Sequence, residues 1–342
     1  MNRLEKIRAF LISDNYIFYT DGQILYKTSP FENDAIELKG YNSSEIINYY
    51  NHIITYDLLL VDKQDLLLKD NIQKKYINNN VIITYLFEIN KNEILIKKIN
   101  ENIQTISYII LNVFDGKEKE LHNLSHPKLI IQGKICCSDS TYISLYDIQS
   151  SLQLWKLDVS KLGEYLHLKG TEHEELRAGT VHELYNYKTV LVALLRNDTI
   201  IGIDSATGDV LWQKPLFLFI SRPVQLNDKL YHIITGVDVK NMLQVYDLAT
   251  GKLEREVEIT HQVLKENTFF TKRFINDTYI ALTATKTGEI LVINHKTAII
   301  EDYAKLPNLK EKIPIDNIPQ VHQNKVYQLD GEGTLYILEK EE

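Results

Sequence analysis

The chain has 342 residues, 44% of them hydrophobic, with 14 Gly, 7 Pro and a formal net charge of −8. That is enough apolar material for a large core and describes an ordinary soluble globular protein, while length alone does not force a domain boundary. The acidic balance, with no Lys/Arg block interleaved with aromatics, excludes nucleic acid as the main partner, and no apolar run approaches the ~18 residues needed to span a bilayer, so no membrane partner is expected.

The N-terminal stretch MNRLEKIRAFLISDNYIFYTDG lacks the marks of a signal peptide. The charges of Glu5, Lys6 and Arg8 are followed by only a short apolar run, and no small-residue cleavage site or lipid-attachment Cys follows. With 2 Cys in the whole chain, the expected setting is a reducing one, the cytoplasm. The heavy use of Ile, Asn, Lys and Tyr fits an AT-rich bacterial genome.

From there on, short apolar runs alternate with turn residues. Asn15–Ser29, His52–Leu68 and Lys134–Asp147 are examples. Each run has strand length and is too short for a helix; Tyr, Ile, Val and Thr enrich them, as a pleated half-buried surface demands. Pairs of runs read as hairpins at Ile12–Tyr19, Asn48–Thr55, Tyr76–Thr84, Ile130–Cys136, Leu184–Val192, Val224–Ile234, Arg273–Thr283 and Pro319–Leu329. In the C-terminal half each hairpin is followed by a third strand, an Asx turn and a fourth strand.

The Asx turns align as LYDIQSSLQLW, GIDSATGDVLW, VYDLATGKLER and VINHKTAIIED, anchored at Asp147, Asp204, Asp247 and Asn294. An Asp or Asn bonds its own backbone two residues on, and Gly208 and Gly251 can take the positive φ that reverses the chain. The anchors recur every ~40–60 residues, the range of propeller-type repeats. The expected fold is all-β: a β-propeller of four-stranded antiparallel blades in one domain, 1–342. Eight blades are preferred and seven stay open. The last unit stops at Leu338 without a fourth strand, so residues near Arg3–Arg8 are expected to supply it and close the ring, removing an open edge.

GIDSATGDVLW resembles the tryptophan-docking repeat of the quinoprotein-dehydrogenase-like (PQQ-like) β-propellers, A-x-D-x-x-T-G-x-x-x-W. Asp204, Thr207, Gly208 and Trp212 match, and Gly202 stands where the pattern has Ala. Three other repeats match in part: Arg255 replaces Trp in one, Ser151 replaces Gly in another, and Ala298 and Asp302 depart in the third. Before Lys128 only the strand rhythm carries the repeat. The resemblance implies that Trp155 and Trp212 are inter-blade wedges and that Asp204 and Gly208 build the turns that receive them.

Some members of that group hold a quinone against a pair of adjacent bonded cysteines, and this chain has Cys136 and Cys137 side by side. Adjacent Cα atoms lie ~3.8 Å apart, below the ~4.4–6.8 Å of ordinary disulfides, and a strand points the two side chains to opposite faces. The pair reads as structural thiols, and no Asp/Glu/Asn set for a metal and quinone stands out. No cofactor, metal or catalytic residue is assigned.

The longest interruption, Lys161–Leu184, contains His167, Glu172, His173, Glu174, Glu175, Arg177 and His182. Their spacing fits no zinc pattern. The segment reads as a solvated connection with a helical turn, and its core of Glu172, His173, Glu174, Glu175 and Arg177 is the candidate partner-binding patch. Lys305–Pro319, with its prolines, reads as a rigid connector. The expected function is a non-catalytic, cytoplasmic protein-binding propeller that meets another, basic protein, with an immunity protein against an antibacterial toxin as the specific form. The alternative is an enzyme, a lyase or hydrolase, with carboxylates or histidines gathered at one end of the central channel.

Overall fold

The computed structural model describes residues 2–13, 16–21, 24–28, 35–39, 46–49, 52–55, 59–62, 68–71, 81–100, 102–162, 164–168, 170–196, 198–216, 223–235, 240–266, 273–307, 309 and 311–339; from 35 to 84 the description covers backbone only. The fold is an all-β propeller built from four-stranded antiparallel sheets, eight of them among the described residues. Numbered as blades in chain order, they span Ala9–Lys39, Ile46–Asn71, Val81–Leu121, Pro127–Asp158, Val181–Pro215, Val224–Glu258, Phe274–Lys305 and Gln320–Glu339.

Blade 8 takes its outermost strand from the chain's start. Asn2, Arg3 and Leu4 pair with Ile337, Tyr336 and Leu335. The expected hairpin at Tyr76–Thr84 is displaced: the turn falls at 91–92, between Val81–Asn90 and Glu93–Asn100, and residues 76–80 lie outside the described residues.

By contacts the chain divides into two compact units, one of Lys6–Ile135 with Tyr146–Leu152, the other of Met1–Glu5, Cys136–Leu145 and Gln153–Glu342. In the larger unit the burial pattern follows strand position. The second strand of blade 5, Val190–Leu195, is buried at every residue, which its unbroken VLVALL run anticipates. The fourth strand of blade 6, Leu253–Glu258, alternates exposed and half-buried residues and reads LEREVE accordingly.

Apolar layers fill the spaces between blades. Val190, Val192, Leu194 and Ile200 of blade 5 pack on Leu230, Tyr246 and Leu248 of blade 6. Ile233, Leu243 and Val245 of blade 6 pack on Ile280, Leu282, Leu291 and Ile293 of blade 7, with Val263 and Leu264 of the short helix Gln262–Glu266 sealing one edge.

The Asx turns share one construction. Asp204 Oδ1 accepts from Ala206 N (2.7 Å) and Thr207 N (3.1 Å), and Gly208 N donates to Asp204 O (2.8 Å). Asp147, Asp247 and Asn294 repeat this with Ser151, Gly251 and Ala298 as closing residues. Each closing residue has positive φ: Ser151 59°, Gly208 82°, Gly251 66°, Ala298 63°. A fifth such turn, at Asn112 with Gly116, lies in blade 3, where sequence spacing showed none.

Each turn receives a side chain from the blade before it. Trp155 Nε1 donates to Ser205 O (3.0 Å) and Trp212 Nε1 to Ala249 O (2.9 Å). Arg255 does the same work without an indole: one guanidinium nitrogen bonds His295 O (2.9 Å) and Lys296 O (2.7 Å). In the smaller unit Lys119 Nζ bonds Ile148 O (2.9 Å) and Gln149 O (2.8 Å). In each case the wedge supplies a donor to carbonyls of the turn.

Register explains how these residues reach the same place. Trp212 stands opposite Gly202, Arg255 opposite Val245 and Lys119 opposite Ile110, each two residues before its own Asx anchor. Blades 5 and 6 carry a β-bulge just before the wedge, and blade 3 has none. The wedge is therefore the eighth residue after the anchor where there is a bulge and the seventh where there is not.

Candidate functional site

The interruption between blades 4 and 5 is not a plain connection. A short 3-10 turn, Ser160–Leu162, leads into a two-stranded hairpin of Tyr165–His167 and Glu175–Arg177. Tyr165 pairs with Arg177, Leu166 with Leu176 and His167 with Glu175. The sequence contains the apolar–polar alternation, but Gly170, Thr171 and the cluster of charges masked it. The tip is held by local bonds: Thr171 Oγ1 donates to Leu168 O (2.8 Å) and Gly170 N to Glu174 Oε2 (2.7 Å).

The candidate residues all lie on this hairpin and do not converge. Glu174 is engaged in pinning the tip. Arg177 Nε donates to Glu175 Oε1 at 2.6 Å, a second guanidinium nitrogen meeting the same oxygen. His173 Nε2 stands 3.6 Å from Glu172 Oε1, with both side chains largely in solvent. His182 lies on the first strand of blade 5. Among the described residues no group of three or more His, Cys, Asp or Glu side chains is placed to hold a metal ion. What the hairpin does present is apolar: Leu166, Leu168 and Leu176 are 43%, 49% and 62% exposed, and Leu166 and Leu176 are cross-strand partners on one face.

Strongly perturbed groups occur elsewhere. Cys136 and Cys137 are buried on the second strand of blade 4 and not joined in a disulfide, and burial raises the Cys136 thiol well above its usual range. In blade 6 a side-chain ladder runs His232–Gln244–Glu256. Gln244 Nε2 donates to Glu256 Oε2 (2.7 Å), so its Oε1 receives Tyr246 OH (3.0 Å) and His232 Nδ1 (3.1 Å). That orientation places the imidazole proton on Nδ1, and burial pushes the His232 pKa down to about 4.

The Asx turn of blade 6 is braced by Lys229, whose Nζ meets Asp247 Oδ2 (2.9 Å), Glu254 Oε2 (2.9 Å) and Asp228 Oδ2 (3.3 Å). Burial opposes the Lys229 charge, but its hydrogen bonds to Glu254, Asp247 and Asp228 outweigh it and raise the pKa. The Lys305–Pro319 connector is tied to blade 8: Asn317 Nδ2 donates to Leu329 O and Asp330 O (both 3.2 Å), and Ile313 is buried in the layer between blades 7 and 8.

Similar architecture occurs in solved structures. The computationally designed Ika8 protein matches with a TM-score of 0.61 at 13% identity, covering 97% of this chain and 96% of that chain. BamB from Moraxella catarrhalis matches with 0.57 at 14% identity, over 99% and 98%. Sqt1 from Saccharomyces cerevisiae matches with 0.59 at 12% identity, over 98% and 96%. At these identities the likeness is one of fold. No protein-family model matches the chain, and neither does any curated protein. Among the described residues no helix is long and apolar enough to cross a membrane.

Proposed function

We propose that this chain is a non-catalytic, cytoplasmic protein-binding propeller of PQQ-like repeats that meets its partner through the hairpin Tyr165–Arg177. The observation that carries this reading is the exposed Leu166–Leu176 pair, displayed on a hairpin whose tip is fixed by its own hydrogen bonds. A solvent-facing aliphatic pair on a braced projection is the composition of a contact surface. Glu164, Glu172, Glu174 and Glu175 belong to the same segment, which with the chain's net charge of −8 favours a basic partner. The specific form we favour is an immunity protein that blocks a basic antibacterial toxin in the cytoplasm.

The test is affinity capture from native lysate followed by titration of the recovered partner. Wild-type chain should retain a basic protein, and Leu166→Ser with Leu176→Ser should weaken it by at least about tenfold at unchanged melting temperature. Recovery of no partner sinks the binding reading. For the immunity form, co-expression with a toxin-like product of an adjacent reading frame should restore growth; growth arrest unaffected by the chain rejects it.

A further inference from the structure

We propose that the groove between the fourth strand of blade 5 and the outer strands of blade 6 binds an extended segment of a partner protein that alternates apolar and acidic side chains. The groove has a volume of about 510 Å³ and is walled by Lys214 and Pro215 on one side and by Gln244, Tyr246 and Thr250–Leu253 on the other. It lies beside the Trp212 junction, because Gly251 in its wall is the glycine on which the Trp212 indole rests. This site is separate from the hairpin and does not depend on it.

Three observations give the ligand its chemistry. The first is the floor. Tyr246 is nearly buried and its hydroxyl is fixed by Gln244, itself fixed by Glu256 and His232, so the surface is preformed. Leu253 and Pro215 complete an apolar bed, with Leu253 40% exposed.

The second is charge. Among the described residues Lys214 and Lys252 are the charged ones lining the groove, and neither ammonium has an ion-pair partner there. Elsewhere in blade 6, Lys229 and Lys240 are paired with carboxylates. In a chain with 46 acidic and 38 basic residues, two unpaired ammonium groups on one apolar groove mark a place for anionic side chains. Glu256 is joined to the wall through Gln244, whose neutral amide donates to it, and is not among the lining residues.

The third is shape. The trough is bordered by Lys214 and Pro215 at the end of one strand, by the turn residues Thr250–Lys252 with Leu253 where the next strand begins, and by Gln244 and Tyr246, two apart on a third strand and so on one face. An extended peptide laid along it sends alternate side chains to the floor and to the lysine rims.

Calorimetric titration of the full chain with a blocked octapeptide of alternating leucine and aspartate tests this. Binding is expected to be at least about tenfold tighter than for the leucine–lysine and serine–aspartate octapeptides, and to weaken with salt. Lys214→Glu with Lys252→Glu should weaken it by at least about tenfold at unchanged melting temperature, since both side chains are exposed. Leu166→Ser with Leu176→Ser should leave it unchanged, which keeps this site distinct from the hairpin. Tryptophan emission should shift on binding, and Trp212→Phe should remove that shift. Equal affinity for the three peptides, indifference to the double charge reversal, or displacement by millimolar succinate as effective as by peptide would overturn the proposal, the last in favour of a small-diacid site.

Discussion

Two junctions in this propeller are closed by an indole and two by a cation, and the difference extends across the blade boundary. Where Trp155 and Trp212 dock, the closing residues of the receiving turns are Gly208 and Gly251. A Cβ there would lie 2.8 Å from Trp155 Cδ2 and 2.4 Å from Trp212 Cε3. Where Lys119 and Arg255 dock, the closing residues are Ser151 and Ala298, both holding positive φ with a side chain. The flat ring lies on the backbone and tolerates no Cβ. The cation reaches the carbonyls at its tip and leaves room for one. Tryptophan and glycine are thus coupled between successive blades, and in blade 5 also within one, where Gly202 stands opposite Trp212.

The largest effect that would break this comparison is loss of an indole. Trp155, 9% exposed, anchors the junction between blades 4 and 5, and Trp155→Ala should cost about 3–5 kcal/mol in chemical denaturation. Trp212 is only half-buried and its removal should cost less, about 2–3 kcal/mol. Equal losses would show that the ring's area is not what matters.

Between the Trp212 and Arg255 junctions lies His232, kept neutral by burial. Its folded pKa of about 4 lies below the unfolded value near 6.5, so stability is full above pH 6.5. As pH falls below that value the unfolded chain takes up a proton that the fold refuses, and stability drops until about pH 4. The size is on the order of 3 kcal/mol. His295 shifts in the same direction. Melting temperature should fall across this window, and His232→Leu should flatten the fall; an unchanged slope rejects the assignment.

The coupling itself is sharpened by a double-mutant cycle. Arg255→Trp alone should destabilise by about 1–3 kcal/mol, because the new ring meets the Ala298 Cβ. Adding Ala298→Gly should recover most of the loss, giving an interaction energy of about 1 kcal/mol or more. Additive effects would remove the explanation offered above. The smallest effect is expected at Ser151, where Ser151→Gly relieves positive φ under no ring and should stabilise by about 0.5–1 kcal/mol, read as a small rise in Tm.

The sequence alone determined the class of fold, the strand rhythm, the four Asx anchors and the supply of a last strand from the chain's start. All of these rest on local patterns, burial period and turn chemistry, that are carried by neighbouring residues. It also pointed to Glu172–Arg177, but as a loop, because the alternation in strands of only three residues was masked by Gly170, Thr171 and the cluster of charges. What only the tertiary structure decided was the meaning of the departures from the repeat. Arg255 and Ala298, or Lys119 and Ser151, look like isolated failures of a motif when read along the chain. Gly202 in place of Ala reads the same way, yet a Cβ there would lie 2.1 Å from the Trp212 ring. Lys119 was hidden further by a missing bulge that shifts it one residue from the expected spacing. The groove with Lys214 and Lys252 was equally invisible, since its walls come from two blades about forty residues apart in their repeat. Side chains that answer one another through space, not along the backbone, leave no periodic trace, and that is where the linear reading stopped.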